Sequence, residues 1–109
     1  MSYTPKSFFE SVTTATQTYN VTAGSTAIIN TVHVKNNATA AITFQMGVVS
    51  AGGTLDANTF LFNDDIPANG SSGALLVVTE ALEVAAGRDI KTVASAAGLA
   101  CRISGQVVT

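Results

Sequence analysis

The stretch Ala41-Ile42-Thr43-Phe44-Gln45-Met46-Gly47-Val48-Val49 decides the fold class. Ile42, Phe44, Met46 and Val48 recur at every second position, with Thr43, Gln45 and Gly47 between them. A strand turns successive side chains to opposite faces, so this spacing predicts a β-strand with the first set against a core. The run 27–35 reads the same way, with Ile28, Val32 and Val34 inward and Thr31, His33 and Lys35 outward. Asn30 interrupts the inward row, as a bulge or strand bend would. Near the end, Cys101 and Ile103 alternate with Arg102 and Ser104. Each apolar side chain buried in this manner contributes roughly 1.5–3 kcal/mol, before conformational entropy is set against it.

Outward from these runs, turn signals recur at short intervals. They are Thr22-Ala23-Gly24-Ser25, Lys35-Asn36-Asn37-Ala38, Ala51-Gly52-Gly53, Asn63-Asp64-Asp65, Pro67-Ala68-Asn69-Gly70, Ala86-Gly87-Arg88-Asp89 and Ala97-Gly98. Gly and Asn accept positive φ, and Asp and Asn side chains bond to turn backbone. Between the signals lie short β-branched runs, which predict further strands over 8–13, 18–21, 59–63, 73–78, 81–84 and 89–94. Only 80–86 has helix propensity, and it is too short and too β-branched to make a helix. The pattern predicts an all-β fold: an antiparallel β-sandwich of about eight strands, with the jelly roll among its candidate forms. No composition shift or linker suggests a second domain. Residues 17–109 form the sandwich in this reading, and residues 1–16 an N-terminal arm able to pair with a neighbouring subunit.

Charge is scarce. Only 11% of the 109 residues are charged, against roughly 25% in an ordinary domain. Hydrophobic residues reach 47%, so the deficit is not the signature of disorder. Charge depletion marks the buried centre of protein–protein interfaces, which points to an assembly component. The net charge is −2, and Lys6, Lys35, Arg88, Lys91 and Arg102 are scattered. No basic stripe is present to bind nucleic acid, tryptophan is absent, and no apolar run approaches membrane-spanning length. The first ten residues lack the apolar run of a signal peptide, so synthesis in a cytoplasm is expected. The sequons at Asn20, Asn37 and Asn69 then read as accidents of an Asn- and Thr-rich composition.

The residues that could carry chemistry are few. His33 is the only histidine, on the polar side of its strand, and no nucleophile-elbow spacing accompanies it. Asp64 and Asp65, with Asp56, could offer oxygen ligands to a calcium ion. Their spacing matches no known loop pattern, and neighbours on a strand face opposite ways. Cys101 is the only cysteine and reads as a buried structural thiol. Ala51-Gly52-Gly53 joins strand to strand and reads as a turn, not an anion cradle. No catalytic, cofactor-binding or metal residue is expected.

The run 18–29, Thr-Tyr-Asn-Val-Thr-Ala-Gly-Ser-Thr-Ala-Ile-Ile, resembles the opening of small β-sandwich structural proteins of tailed bacteriophages. The likeness continues through Val32-His33-Val34-Lys35-Asn36, Ala40-Ala41-Ile42-Thr43-Phe44, Ile66-Pro67-Ala68-Asn69-Gly70, Ala94-Ser95-Ala96-Ala97-Gly98-Leu99 and Ile103-Ser104-Gly105. Thr22 stands where the pattern usually has proline. The resemblance implies a non-enzymatic virion component: a capsid decoration or cement protein, or a neck or tail appendage. It would assemble with its own copies, a trimer being favoured, and with other virion proteins, without cofactor, nucleic acid or membrane. The rival readings are a receptor- or glycan-binding module of a tail fibre and, further off, a small β-barrel enzyme.

Overall fold

A computed structural model describes residues 2–109. Nine strands follow one another along the described residues, with no helix between them. They are β1 (Tyr3–Ser11), β2 (Gln17–Asn20), β3 (Thr26–Asn36), β4 (Ile42–Ser50), β5 (Phe60–Ile66), β6 (Leu75–Val78), β7 (Leu82–Val84), β8 (Arg88–Ala94) and β9 (Leu99–Val108). Their topology is that of one long antiparallel ribbon turned back at residues 51–59. Strands before the turn pair with strands after it: β4 with β5, β3 with β6 and β7, β2 with β8, and β1 with β9. The ribbon is then rolled, so that β3 also meets β9 and β4 also meets β8. Two sheets result, ordered β1-β9-β3-β6 with β7 beside β6 on β3, and β2-β8-β4-β5. This strand order is the jelly roll, a double-sheet solution of two Greek keys.

Between the sheets lies one core, in which Phe44, Ile29, Ile42, Met46, Ile90 and Ile103 are the largest fully buried side chains. In β4 the alternation holds as the sequence predicts. Ile42, Phe44 and Met46 are buried, and Val48 packs half-buried against the same core. Val49 faces outward, yet it is buried too. The 51–59 loop folds over this end of β4, where a Cβ on Gly53 would come 3.1 Å from that of Val49.

Strand β3 departs from the expected parity. Ala27 and Ile29 are buried, and Ile28 faces outward. The pairing with β9 slips between Ile29 and Thr31, which makes Asn30 a bulged residue and returns Val32 and Val34 to the inner face. The interruption at Asn30 was legible, but the assignment of Ile28 to the core is corrected, because the bulge reverses parity for every residue before it.

The segment 3–11 is not an arm. It is β1, paired with β9 from Tyr3↔Val108 to Ser11↔Ala100, and Phe8, Phe9 and Val12 are buried in the core. Irregular pairing after Ser7 lets Phe8 and Phe9 both turn inward. Ser2 and Thr109 exchange two backbone hydrogen bonds of 2.9 Å each, extending this pairing past the strand ends. The expected boundary between residues 16 and 17 is therefore absent, and only Met1 of the expected arm lies outside the described residues. Asn63-Asp64-Asp65 is likewise strand and not turn, since β5 runs on to Ile66.

Two glycines make the irregular pairings fit. A Cβ on Gly105 would overlap the Ile28 carbonyl oxygen and come 3.0 Å from the Asn30 nitrogen. A Cβ on Gly47 would overlap the Thr59 carbonyl oxygen, where Leu61 bulges out of β5. Gly105→Ala is expected to cost at least ~3 kcal/mol, because backbone must move on a central strand. Gly52, at φ +78 with open space around it, is the comparator, and Gly52→Ala is expected to cost about 1–2 kcal/mol. Thermal unfolding of both variants checks the ranking, at roughly 4–8 °C of Tm per kcal/mol for a domain this size.

Candidate interaction surface

The residues that could carry chemistry lie apart. His33 is exposed on the outer face of β3, and its cross-strand neighbours are Arg102 and Val77, not a carboxylate. Asp64 and Asp65 point to opposite sides of β5. Asp65 lies opposite Thr43 and accepts its hydroxyl hydrogen bond, whereas Asp64 lies opposite the buried Phe44. Asp56 sits in the 51–59 loop, where its carboxylate accepts the Asn58 N–H at 2.8 Å. Among the described residues, no group of three or more His, Cys, Asp or Glu is placed to hold a metal ion. Cys101 faces the core unpaired, and burial pushes its thiol up to about 11.

The two outer faces differ in kind. On the β2-β8-β4-β5 sheet, polar side chains are hydrogen-bonded within the molecule: Gln45 Nε2 donates to Asn63 Oδ1 at 3.1 Å, the Thr43 hydroxyl donates to Asp65, and the Thr43 N–H donates to the Ser95 hydroxyl at 2.9 Å. Asp89 anchors one end of this face. Its Oδ1 accepts from Asn20 Nδ2 at 2.7 Å and its Oδ2 from the Gly52 N–H at 2.9 Å. One carboxylate thereby ties the end of β2, the start of β8 and the 51–53 turn. Both bonds favour the charged form, that from Asn20 most, and hold the carboxyl below its ordinary value. Residues 51–53 form the turn that the sequence predicts, with the Gly53 N–H closing onto the Ser50 carbonyl at 2.7 Å, and of the two glycines only Gly52 reaches the Asp89 carboxylate. Nothing in its local spacing announces a partner 37 residues away.

On the β1-β9-β3-β6 sheet, most outward side chains are neutral or apolar, and Lys35, Arg102 and Glu83 carry its charges. Pairing places Tyr3, Pro5 and Ser7 of β1, Ile28 and Thr31 of β3, and Leu75 and Val77 of β6 on this face. Four large hydrophobic side chains are strongly exposed among the described residues, and Tyr3, Leu75 and Val77 are three of them. The fourth, Leu61, is on the β5 bulge beside Leu82 and Val84 of β7, in a shallow apolar groove where the two sheets part.

The edges differ as well. A proline and a lysine in β1, and the inward-side Asp64 in β5, are devices that discourage edge-to-edge pairing. β2 is only four residues long. β6, Leu75-Leu76-Val77-Val78, carries no charge and no proline.

Two outcomes are expected. Because the Asp89 carboxyl is depressed in the folded state, its contribution is fully present above the unfolded value near 3.9 and is lost as pH falls through the folded one. Asp89→Asn should therefore lower Tm at pH 7, and the gap to the parent should close in acid, as a Tm series from pH 7 to pH 2 reads. The raised, buried Cys101 thiol should react with a disulfide reagent at pH 8 many-fold more slowly in the native protein than in denaturant, followed by absorbance.

Compared with known proteins, the chain matches no family model, no curated protein and no solved structure.

Proposed function

We propose that the chain is a non-enzymatic structural subunit of a virion, a capsid decoration or cement protein or a neck or tail appendage of a tailed bacteriophage. It works by adhesion, laying a shaped, nearly uncharged face against neighbouring subunits. The observation that carries this reading is the outer face of the β1-β9-β3-β6 sheet. It is wide and regular, and it exposes Tyr3, Leu75 and Val77 with only three charged side chains, Lys35, Arg102 and Glu83, among the rest. Such a face is what a subunit needs where charge is depleted at an interface centre.

Two further points support the reading. The sequence resembles phage β-sandwich structural proteins over 18–107, and jelly rolls recur in viral capsids, which is support by analogy of fold. The core between the sheets is filled with aliphatic and aromatic side chains, which suits a building block. A face with so few charges gives little electrostatic steering, so its adhesion is insensitive to screening.

Density-banded particles from a lysate in which the gene is expressed are expected to contain the chain, and to keep it through a wash in ~1 M NaCl. Mass spectrometry of the particle and wash fractions reads both results. A chain found only in the soluble fraction overturns the reading, and quantitative release by salt overturns the adhesion mechanism.

A further inference from the structure

We infer that the outer face of the β1-β9-β3-β6 sheet is covered by the same face of a second copy of this chain, the two packed face to face about a two-fold axis running across the strands. The inference deepens the assembly reading by naming the first partner, and it replaces the threefold arrangement expected from the sequence with a two-fold one.

Three observations lead to it. The first is charge placement. The regular pairing puts three charged side chains on this face. Glu83 of β7 lies beside Ile28 toward one end of β3. Arg102 of β9 lies beside His33, and Lys35 two residues further on, toward the other end. Lys35 also donates to Asn69 Oδ1 at 2.8 Å, which holds it at that end. A two-fold axis across the strands lays the acidic end of each copy over the basic end of the other. Glu83 then lies within about two strand spacings, ~10 Å, of the other copy's Arg102, a gap that two long side chains close. An axis along the strands would instead set Arg102 and Lys35 of the two copies over one another, with no acid opposite them. Glu10, in the irregular part of β1, sits at the far edge, where the other copy's β1 presents the uncharged Tyr3 and Pro5.

The second observation is size. Four strand positions at ~4.8 Å spacing, with β6 and β7 sharing one, over about ten residues at ~3.3 Å each, make a footprint of roughly 600 Å². That lies at the lower end of the ~600–1,000 Å² per partner that stable interfaces bury. The third is self-compatibility. A two-fold contact sets a surface against itself, so its centre must be neutral. Here the pair at the axis level, Thr31 and Ser104, is uncharged, whereas the Asn63–Gln45 and Asp65–Thr43 ladders of the opposite sheet have their hydrogen bonds already made within the molecule.

The experiment is sedimentation equilibrium of the purified chain over a concentration series, with variants. A dimer is expected, with affinity of ~10 µM or tighter for an interface of this size. Val77→Glu, at a half-exposed site where folding tolerates a charge, should weaken it at least ~100-fold. Glu83→Arg should weaken it ~10-fold or more, and adding Arg102→Glu should restore it. Leu61→Glu, on the groove side, should leave it unchanged. Tm of each variant confirms that it is folded.

A monomer throughout, an oligomer indifferent to Val77→Glu, or a Glu83→Arg loss that Arg102→Glu does not repair overturns the inference. The particle experiment separates the two readings. A monomeric chain that still bands with particles sinks the dimer and leaves the virion role standing; a dimer absent from particles does the reverse.

Discussion

The fold depends on how β3 and β9 meet. Among the described residues, β3 is the only strand with three partners, taking β9 along one side and β6 and β7 along the other. Both ends of β3 must deliver side chains to one core, and a regular strand of this sequence could not do so. Even spacing would turn Ala27 and Ile29 outward whenever Val32 and Val34 turn inward. The bulge at Asn30 resolves the conflict, and Gly105 makes it sterically possible by leaving room for the Ile28 carbonyl. A single extra residue and a missing Cβ therefore set which half of the central strand becomes core.

Buried polar groups fix the ends of the sandwich. Asn36 is fully covered, and its side chain is fully used. Nδ2 donates to the carbonyls of Ala40 and Ile66 at 2.9 Å each, and Oδ1 accepts the Ala38 N–H at 2.8 Å. It joins the β3–β4 connection to the end of β5, as Asp89 joins three elements at the 51–53 turn. A satisfied buried amide specifies one arrangement of loops, because any other leaves costly unpaired groups behind. Thr92 is the exception among the described residues, its hydroxyl buried without a hydrogen-bond partner.

These features divide what the sequence reveals from what it conceals. Alternation marks β4 plainly because one side of it meets core and the other meets polar neighbours along most of its length. Turn residues separate the strands well enough that all nine have a counterpart in the sequence pattern, with shifted ends. β1 is misread because its pairing partner is about a hundred positions away, and its Ser- and Thr-rich start resembles loose chain. The burial of Val49 is not legible because it comes from a loop folding back, and Ile28 is misread because parity depends on a bulge. Asn36 and Asp89 look like ordinary turn residues until their distant partners are known. The contrast between the two outer faces has the same character. It emerges only when pairing sets β1, β3, β6 and β9 side by side, so the scarcity of charge hints at an interface without saying where it lies.

The β1–β9 pairing has a consequence for the order of events on the ribosome. Phe9 pairs opposite Ile103, so the second residue of the pair is made long after the first. At about 5–20 residues per second, the wait is on the order of 5–20 s. Throughout that time Phe8, Phe9 and Val12 belong to an emerged segment whose own strand partner does not yet exist. The nascent chain thus carries an unpaired apolar segment from the time β1 emerges until β9 follows it. The strand that hides it, β9, is the last of the nine in chain order.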